Sequence, residues 1–395
     1  MIARSRWKRF ASGVEPVSGN QLRLLQSGLE FFPALIAAID AAQIEVHLET
    51  YIFNADASAG AVRDALMRAA RRGIPVRLLI DGVGSRGRSD TWLAELEAAG
   101  VRVLVYRPLA TGWRSSPRSL RRLHRKLAVI DARIAFVGGM NLIDDYEPVR
   151  FAQPRLDFSV EVQGPLLAHI HSSVRHLWRL VALTQLRAGE PPQRIEPTWP
   201  TDGHVRAAYV VRDNFAHRRD IERAYFAALA RARQEIILAS AYFLPGQRFR
   251  KLLKKAALRG VRVQLLVQGH TDHPFYQTAA RALYHDLLTA GVEIHEYQAS
   301  ELHAKAAVID GHWVTVGSSN IDPFSLLMAR EANIVVEDAS FARDLQRRLQ
   351  QAIVQSIPLD PADWPQRPWP QRMLSWLAYG VVRLMLGLAG FGRWV

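Results

Sequence analysis

The strongest constraint on how this chain folds is a ten-residue stretch that occurs twice. Residues 122–131 read "RLHRKLAVID", and residues 301–310 read "ELHAKAAVID". Each copy has the apolar run of a buried β-strand, yet each carries a His and a Lys, and a charged Lys seldom lies buried without a partner. A chain that repeats so unusual a strand is expected to fold as two similar units.

The two polar residues of each copy share one face of the strand. Successive side chains of a β-strand point to opposite faces, so residues two apart point the same way. His124 therefore projects together with Lys126, and His303 projects together with Lys305. If the two units meet at an interface, both pairs reach a single site near an approximate two-fold axis.

The repeat extends far beyond these two strands. The strands predicted in the first half lie at 44–53, 74–82 and 101–106, and their counterparts in the second half at 235–246, 261–269 and 292–297. The predicted helices lie at 61–73 and 94–100, and at 249–260 and 285–291. Strands that alternate with helices of this length predict an α/β fold with parallel-rich sheets and helices packed on their faces. We therefore expect two pseudo-symmetric α-β-α lobes that share one active site at their interface.

Composition along the chain indicates five segments. We expect a basic N-terminal segment, a first lobe, a linker rich in Pro and charge, a second lobe and an apolar tail rich in Trp and Pro, over residues 1–20, 21–190, 191–203, 204–358 and 359–395. The N-terminal segment is either a frayed basic tail or an arm that touches a membrane through Trp7 and Phe10. The Arg-rich loop 107–122 is either solvated surface or an anion-binding loop, since it leads directly into a His/Lys strand.

The net charge restricts the class of partner. The chain of 395 residues has 51 Lys and Arg against 37 Asp and Glu, a formal net charge of +14. Such an excess favours polyanionic partners, either nucleic acid or an anionic membrane surface. The sequence contains no cysteine, which excludes disulfides, thiolate catalysis and metal sites with cysteine ligands.

Two imidazoles and two ammonium groups at one interface suit phosphodiester chemistry without a metal. The ammonium groups neutralise the phosphoryl oxygens, one imidazole attacks phosphorus and the other protonates the leaving alcohol. The alternative is that each His/Lys pair only decorates an exposed strand. The second copy argues against that alternative, and so does the G-x-x-N pattern that follows each copy, at Gly138–Asn141 and Gly317–Asn320.

The doubled pattern H-x-K-x4-D, with G-x-x-N after each copy, resembles the phospholipase D superfamily of phosphatidyl and phosphodiester transferases. The resemblance implies a catalytic set formed by His124, Lys126, Asp131, His303, Lys305 and Asp310, in which the two Asp residues are structural rather than in contact with substrate. It implies phosphate binding by Asn141, Asn320 and Ser318, while Gly139 stands in the first copy where the family commonly has Ser. It also implies that neither a cofactor nor a metal is needed.

The resemblance further implies a carboxylate that orients each imidazole. The matching residues are Asp157 in the first half and Glu331 in the second, and each is expected to hold the His of its own half. Such an acid fixes the tautomer and stabilises the imidazolium. The family pattern favours His124 as the nucleophile and His303 as the general acid, and the pseudo-symmetry leaves the reverse assignment open.

A second resemblance narrows the substrate. "IEVHLETYIFNADASAG" at residues 44–60 is similar to the opening of bacterial cardiolipin synthases, and the short N-terminus is most similar to their B type. The likeness implies transfer of a phosphatidyl group from one phosphatidylglycerol to another through a phosphohistidine, with release of glycerol. Two alternatives remain open: a phospholipase D-type hydrolase acting on phospholipid or nucleic acid, and an inactive lipid-binding scaffold, which the two intact His/Lys pairs disfavour.

The C-terminal tail favours lipid over nucleic acid as the partner. "MLSWLAYGVVRLMLGLAGF" at residues 373–391 carries one charge, Arg383, and a mid-span Arg costs roughly 3 kcal/mol to insert. An interfacial or re-entrant segment is therefore favoured over a spanning helix, and a helix docked on the protein core is the third possibility. We expect a peripheral protein on the cytoplasmic side of the cell membrane. Its expected partners are anionic phospholipid (phosphatidylglycerol) and the membrane surface, with no obligate protein partner.

Two weaker signals are set aside. Residues 81–87, "DGVGSRG", contain G-x-G-x-x-G after a strand, but the following strand ends without the acid of a dinucleotide site, so a turn is favoured. His270 and His273 have the spacing of a weak metal pair, but a polar loop at the mouth of the site fits them better.

Overall fold

The structure is a computed structural model that describes residues 15–108, 121–146, 150–186, 195–199, 202–270 and 273–388. The N-terminus with Trp7 and Phe10, most of the Arg-rich loop and parts of the expected linker lie outside the described residues. The described residues include both copies of the His/Lys strand.

The first lobe alternates strands with helices and then turns into hairpins. Its strands are β1 (Val17–Gln26), β2 (Val46–Thr50), β3 (Val76–Asp81), β4 (Arg102–Tyr106), β5 (Lys126–Ile130), β6 (Ile134–Gly138) and β7 (Phe158–Gln163). Its helices are α1 (Ser27–Asp40), α2 (Ala57–Arg71), α3 (Asp90–Ala98) and α4 (Leu167–Thr184).

The second lobe repeats this plan and adds a C-terminal extension. Its strands are β8 (Val205–Arg212), β9 (Glu235–Ser240), β10 (Arg262–Gln268), β11 (Glu293–Tyr297), β12 (Lys305–Ile309), β13 (Trp313–Gly317), β14 (Glu331–Glu337) and β15 (Ser356–Pro358). Its helices are α5 (Asp220–Arg231), α6 (Gln247–Leu258), α7 (Pro274–Leu288), α8 (Pro323–Leu327), α9 (Ala339–Val354), a 3-10 helix (Trp364–Gln366) and α10 (Trp369–Leu388). Each repeated segment predicted from the sequence overlaps an element of the expected type.

Hydrogen bonds join the strands of the described residues into one sheet. The strand order is β15-β11-β10-β9-β12-β13-β14-β8-β1-β7-β6-β5-β2-β3-β4. Apart from the extra β15, the order in one lobe mirrors the order in the other, with β1 to β7 matching β8 to β14. The lobes meet where β1 pairs antiparallel with β8, so the pseudo-two-fold axis passes between these two strands.

The expectation of parallel-rich sheets is wrong for the centre of the sheet. Strands β2, β3 and β4 run parallel, as do β9, β10 and β11. The strands between them pair antiparallel, because β5 and β6, like β12 and β13, are joined by tight turns with no room for a crossover helix. Since β5 also runs antiparallel to β2, the first residue of the His/Lys strand lies at the carboxyl end of β2, the edge where α/β sheets place their sites.

Helices cover the sheet because their apolar residues recur at helical spacing. In α2 the buried residues include Val62, Leu66 and Ala69, which lie on one face. The helix begins after Asp56, whose carboxylate accepts the N–H of Ala59 at 3.0 Å. Capping and apolar spacing therefore agree on where α2 starts and on which face it buries.

One hydrophobic cluster runs through both lobes. It includes Val137 and Val160 from the first lobe and Val316 and Ile334 from the second, all of them buried. Burial of apolar surface contributes about 25 cal/mol per Å², so this shared cluster holds the lobes in a fixed relation. A site at their interface is therefore built on a rigid frame.

The Asp of each signature closes the turn at the far end of its His/Lys strand. Asp131, with a left-handed φ of 54°, accepts the backbone N–H groups of residues 43–45 at 2.7 to 2.9 Å. Asp310, with a φ of 52°, accepts those of residues 233–235 in the same way. Because each carboxylate is engaged by backbone N–H groups, these two residues of the signature hold a turn, in line with the structural role expected of them.

The C-terminal helix α10 lies along α7 with only one face buried. Ala378, Tyr379 and Val382 lie on the face that packs against the protein, and the Tyr379 hydroxyl accepts a hydrogen bond from Arg250 at 3.2 Å. The opposite face is an apolar stripe of exposed residues, Met373, Leu374, Leu377, Val381, Leu384, Met385 and Leu388. Among the described residues, no helix combines the length and hydrophobicity that a bilayer-spanning segment needs.

Replacement of Asp131 by Ala is expected to destabilise the protein without removing any group of the substrate cavity. Three buried or partly buried N–H groups lose their acceptor, so the free energy of unfolding should fall by about 2–4 kcal/mol in urea denaturation. Asp310→Ala should behave alike. Asp64, which is exposed and pairs with the neighbouring Arg63, is the matched control, and Asp64→Ala should change stability by less than about 0.5 kcal/mol.

Candidate active site

The imidazoles of the two lobes open into one cavity. His124 precedes β5 and His303 precedes β12, and both line a cavity of about 410 Å³. The cavity lies where the amino ends of the two His/Lys strands meet across the pseudo-two-fold axis. The duplicated motif therefore forms a single site rather than two.

Backbone hydrogen bonds between the lobes fix the position of the main chain at each His. The N–H of His124 donates to the carbonyl oxygen of Arg330 at 2.9 Å. The N–H of His303 donates to the carbonyl oxygen of Leu156 at 2.8 Å. The segment before β5 is thus hydrogen-bonded to the segment before β14, and the segment before β12 is hydrogen-bonded to the segment before β7.

Each bridge also determines which carboxylate holds the imidazole. His124 Nδ1 lies 2.9 Å from Glu331 Oε1, and His303 Nδ1 lies 2.6 Å from Asp157 Oδ2. We expected each acid to hold the His of its own half, and this is wrong. The acids are exchanged because each one directly follows the residue that bridges to the other lobe.

The exchanged carboxylates leave the outer ring nitrogen of each imidazole for the substrate. An ionised carboxylate only accepts, so Nδ1 is the donor and Nε2 keeps its lone pair. The ring of His124 is packed by Tyr51, with ring centroids 4.9 Å apart, and by Phe324, with centroids 6.3 Å apart. Ring orientation and tautomer are therefore both fixed before a substrate arrives.

The two lysines lie beside the imidazoles and are buried. Lys126 Nζ donates to the carbonyl oxygen of His124 at 2.6 Å, and Lys305 makes the same bond to His303. The Lys126 ammonium also lies 5.3 Å from the ring centre of Tyr51. Both imidazoles line the cavity, whereas neither lysine belongs to its lining among the described residues.

Burial shifts the ionisation of the whole cluster. It lowers the pKa of Lys126 to about 7 and that of Lys305 to about 8, and it raises the pKa of Asp157 to about 6. Burial also lowers the pKa of both imidazoles, and the positive charge of Lys305 adds to the effect at His303. A phosphodiester in the cavity would restore the charged forms of the cationic groups, so the electrostatics favour an anionic substrate.

The residues expected to bind phosphate divide into two groups. Asn141 and Asn320 line the cavity, and the Asn141 Oδ1 atom accepts the N–H of Ile52 at 3.2 Å, which leaves its NH₂ group as a donor. Ser318 is different, because it is fully buried and its hydroxyl donates to the carboxylate of Glu331. Phosphate binding by Ser318 is therefore wrong, and its role is to hold the acid that orients His124.

The absence of that Ser from the first copy has a steric reason. A Cβ atom at Gly139 would lie 2.2 Å from the Asp157 Oδ1 atom, far inside contact distance. Asp is one methylene shorter than Glu, and its carboxylate therefore comes close to the backbone where Ser318 stands in the second copy. The pair Gly139 and Asp157 and the pair Ser318 and Glu331 therefore both place a carboxylate beside an imidazole, the first with a short acid and no side chain at residue 139, the second with a longer acid and a Ser.

Sequence reasoning missed most of the cavity wall. His273, which the sequence predicted for a polar loop at the mouth of the site, does line the cavity, and the residues not foreseen are Tyr51, Ile52, Ile143, Arg155, Tyr242, Tyr276, Glu301, Asp322 and Phe324. Arg155 and Glu301 form an ion pair of 2.6 Å across the lobe interface. The one available signal was position, since Glu301 lies two residues before His303 and Asp322 two residues after Asn320.

Candidate metal ligands lie elsewhere. Within the described part of the chain, one group has ligand spacing, the buried trio of Glu45, His47 and His171. The guanidinium of Arg77 lies 2.8 Å from Glu45 and 3.4 Å from His47, so a cation there would meet a positive charge. The trio is a buried ion-pair network. His270 donates a hydrogen bond to the carbonyl oxygen of Gln298 at 3.1 Å, and His273 lines the cavity.

Comparisons with known proteins agree on one family. A family model described as "Cardiolipin synthase, PLD-like domain" matches residues 35–147 and 225–353. Cardiolipin synthase B of Salmonella typhimurium is 40% identical over 390 residues, covering 94% of this chain and 90% of the relative. Cardiolipin synthase B of Escherichia coli K12 is 39% identical over 386 residues with the same coverage. Cardiolipin synthase A of Erwinia tasmaniensis is 31% identical over 373 residues, covering 93% of this chain and 76% of the relative.

A solved structure agrees with the fold. The crystal structure of phosphatidylserine synthase from Haemophilus influenzae superposes with a TM-score of 0.74 at 13% sequence identity, covering 99% of both chains. At that identity the likeness concerns the architecture, namely the arrangement of two lobes around one sheet.

The exchanged pairing of acids and imidazoles predicts which histidine responds to which mutation. Glu331→Gln should lower the pKa of His124 further, because the negative charge that opposes the effect of burial is removed. In ¹⁵N-detected titrations of the imidazoles, the His124 signals should move with Glu331→Gln and stay unchanged with Asp157→Asn. The His303 signals should respond to Asp157→Asn instead, and the opposite pattern would refute the exchange.

Proposed function

This chain belongs to the cardiolipin synthase family of the phospholipase D superfamily, and we propose that it joins two phosphatidylglycerol molecules into cardiolipin with release of glycerol. The resemblance inferred from the doubled motif is confirmed by the family match. The observation that carries the proposal is the single cavity into which His124 and His303 both open, each held by a carboxylate of the opposite lobe.

In the first half-reaction a phosphatidyl group passes to the enzyme. The Nε2 atom of His124 attacks the phosphorus of one phosphatidylglycerol, a P–N bond forms, and the P–O bond to the head-group glycerol breaks. His303, which is protonated at Nε2 once the phosphodiester anion is bound, gives that proton to the departing glycerol oxygen. Glu331 stabilises the positive imidazole of the phosphohistidine. The pseudo-symmetry of the site permits the reverse assignment of the two imidazoles.

In the second half-reaction the phosphatidyl group passes to an alcohol. A hydroxyl of the second phosphatidylglycerol attacks phosphorus, and its proton goes to His303, which is neutral after the first step. The P–N bond breaks and its electron pair returns to His124. The enzyme is then back in its starting state, and cardiolipin leaves.

The phosphoryl oxygens need positive partners during both steps. Lys126 and Lys305 are hydrogen-bonded to the backbone carbonyls of His124 and His303, and the NH₂ groups of Asn141 and Asn320 supply neutral donors on the cavity wall. Once a lipid displaces water from the cavity, such groups stabilise developing charge more strongly than in water. No step of this scheme routes through a metal.

Hydrolysis is the alternative outcome of the same intermediate. If water instead of an alcohol meets the phosphohistidine, the product is phosphatidic acid, as in a phospholipase D. The net charge of +14 also suits a nucleic acid substrate. The exposed apolar stripe of α10 favours lipid, because nucleic acid gives no reason for an unpaired apolar face.

The apolar stripe of α10 is the proposed membrane contact. Its residues recur at the spacing of one helix face, and the opposite face is fixed on α7. Arg372 and Arg383 flank the stripe and are exposed, where anionic lipid head groups attract them. The chain would thereby lie on the cytoplasmic surface of the cell membrane, next to its lipid substrate.

His124→Ala and His303→Ala should each reduce cardiolipin formation by roughly 10³-fold or more, since each removes a group that forms or breaks a bond. The measurement incubates purified protein with phosphatidylglycerol vesicles and separates the lipids, with released glycerol assayed in parallel. His285→Ala, on the exposed side of α7, is the matched control. Activity near that of the wild type in either active-site variant would refute the assignment, and phosphatidic acid as the sole wild-type product would favour the hydrolase.

Polar substitutions in the apolar stripe should weaken membrane binding while the fold is kept. Leu377, Val381 and Leu384 are exposed and lie on one face, so the triple change to Ser should reduce sedimentation with phosphatidylglycerol vesicles at least tenfold. The control carries Leu258→Ser and Val354→Ser, two residues that are more exposed than these three and lie outside α10. Unchanged sedimentation of the triple variant would mean that α10 is not the contact.

A further inference from the structure

The two lobes place different side chains at one pair of corresponding positions in the cavity wall. Two residues after each signature Asn, the first lobe has Ile143 and the second lobe has Asp322, and both line the cavity. The first lobe thus contributes an apolar side chain at this position, and Ile52 is a second apolar residue of its lining. The wall of the second lobe is polar. A symmetric scaffold has therefore become chemically asymmetric at the place where two substrates with different roles must bind.

Asp322 is a buried carboxyl group without a cationic partner in the described part of the chain. It is 3% exposed, and one of its oxygens accepts the N–H of Ser325 at 2.9 Å, which caps α8. Burial, with the negative charge of nearby Glu331, raises the pKa of Asp322 to about 7. Near neutral pH the group can thus both donate and accept a hydrogen bond, as a hydroxyl ligand requires.

Two more polar groups share this wall. The Oδ1 atom of Asn320 is buried and has no hydrogen-bond partner among the described residues. A buried acceptor of this kind costs free energy unless a ligand supplies the missing donor. Tyr276 also lines the cavity. Burial raises the pKa of Tyr276, and the negative charge of Asp322 raises it further, so the two side chains lie close together.

We propose that Asp322, Asn320 and Tyr276 form a hydroxyl-binding subsite that holds the glycerol head group of the acceptor lipid. The inference rests on the proposed transfer reaction and names the acceptor side of its cavity. A vicinal diol offers two hydroxyl groups, so one can be held by the Asp322 carboxyl while the other faces phosphorus. Water has only one oxygen and cannot occupy both places.

The subsite accounts for a preference of transfer over hydrolysis. The held glycerol presents its free hydroxyl to the phosphohistidine, a P–O bond forms, and the P–N bond breaks with its electron pair returning to His124. The hydroxyl proton passes to His303. A bound diol also displaces water from the cavity, and the effective concentration of the acceptor hydroxyl exceeds that of a freely diffusing alcohol.

The test measures how the phosphohistidine is partitioned. With phosphatidylglycerol vesicles, Asp322→Ala should lower the ratio of cardiolipin to phosphatidic acid at least tenfold, while glycerol release in a single turnover stays near the wild-type rate. Asp322→Asn, which keeps a capping side chain and a hydrogen-bonding group, should recover part of the ratio. With soluble acceptors, the wild type should prefer glycerol to ethanol, and Asp322→Ala should lose that preference.

A second helix-capping residue serves as a control, because its loss removes a cap without changing the proposed subsite. Asp338 caps α9 by accepting the N–H of Phe341 at 2.8 Å and does not line the cavity, so Asp338→Ala should leave the product ratio unchanged. If Asp322→Ala lowers cardiolipin and phosphatidic acid in parallel, with the ratio and the glycerol preference intact, the subsite is refuted. If the wild type releases no glycerol from phosphatidylglycerol, the proposed transfer itself is refuted, and the subsite with it.

Discussion

The active site depends on two backbone hydrogen bonds that cross between the lobes. The N–H of His124 reaches the carbonyl of Arg330, and the N–H of His303 reaches the carbonyl of Leu156. Each bond places the next residue of the opposite lobe, Glu331 or Asp157, against an imidazole. A single lobe therefore has an imidazole without its acid and an acid without its imidazole, so catalysis requires both lobes in register.

The buried cations set the character of the cavity. Two lysines and two imidazoles are buried close together, and burial lowers the pKa of all four groups. Their charged forms become favourable when an anion arrives, so phosphate binding and protonation are coupled. The surrounding wall is not symmetric, because the position two residues after the signature Asn is the apolar Ile143 in the first lobe and the acidic Asp322 in the second.

Much of the fold could be predicted from sequence because the chain repeats itself. The doubled motif, the strand and helix spacing and the side-chain alternation in β5 and β12 gave two lobes, and the fold class is confirmed by the architecture. Errors arose where spacing along the chain carries no information about pairing across it. The antiparallel centre of the sheet, the exchanged acids and the bond from Ser318 to Glu331 all depend on contacts between distant segments.

The sequence by itself determined the reacting groups, since residue types and their period of two along each His/Lys strand are local properties. It also determined the family, through two complete signatures and the G-x-x-N after each. Only the tertiary structure decided which acid serves which imidazole. It also decided that Ile143 and Asp322, two residues after each signature Asn, line the same cavity. The reason is physical. Pairing across the pseudo-two-fold axis brings the acid of one lobe to the imidazole of the other, and the sequence of one lobe does not specify which residues of the other lobe will face it.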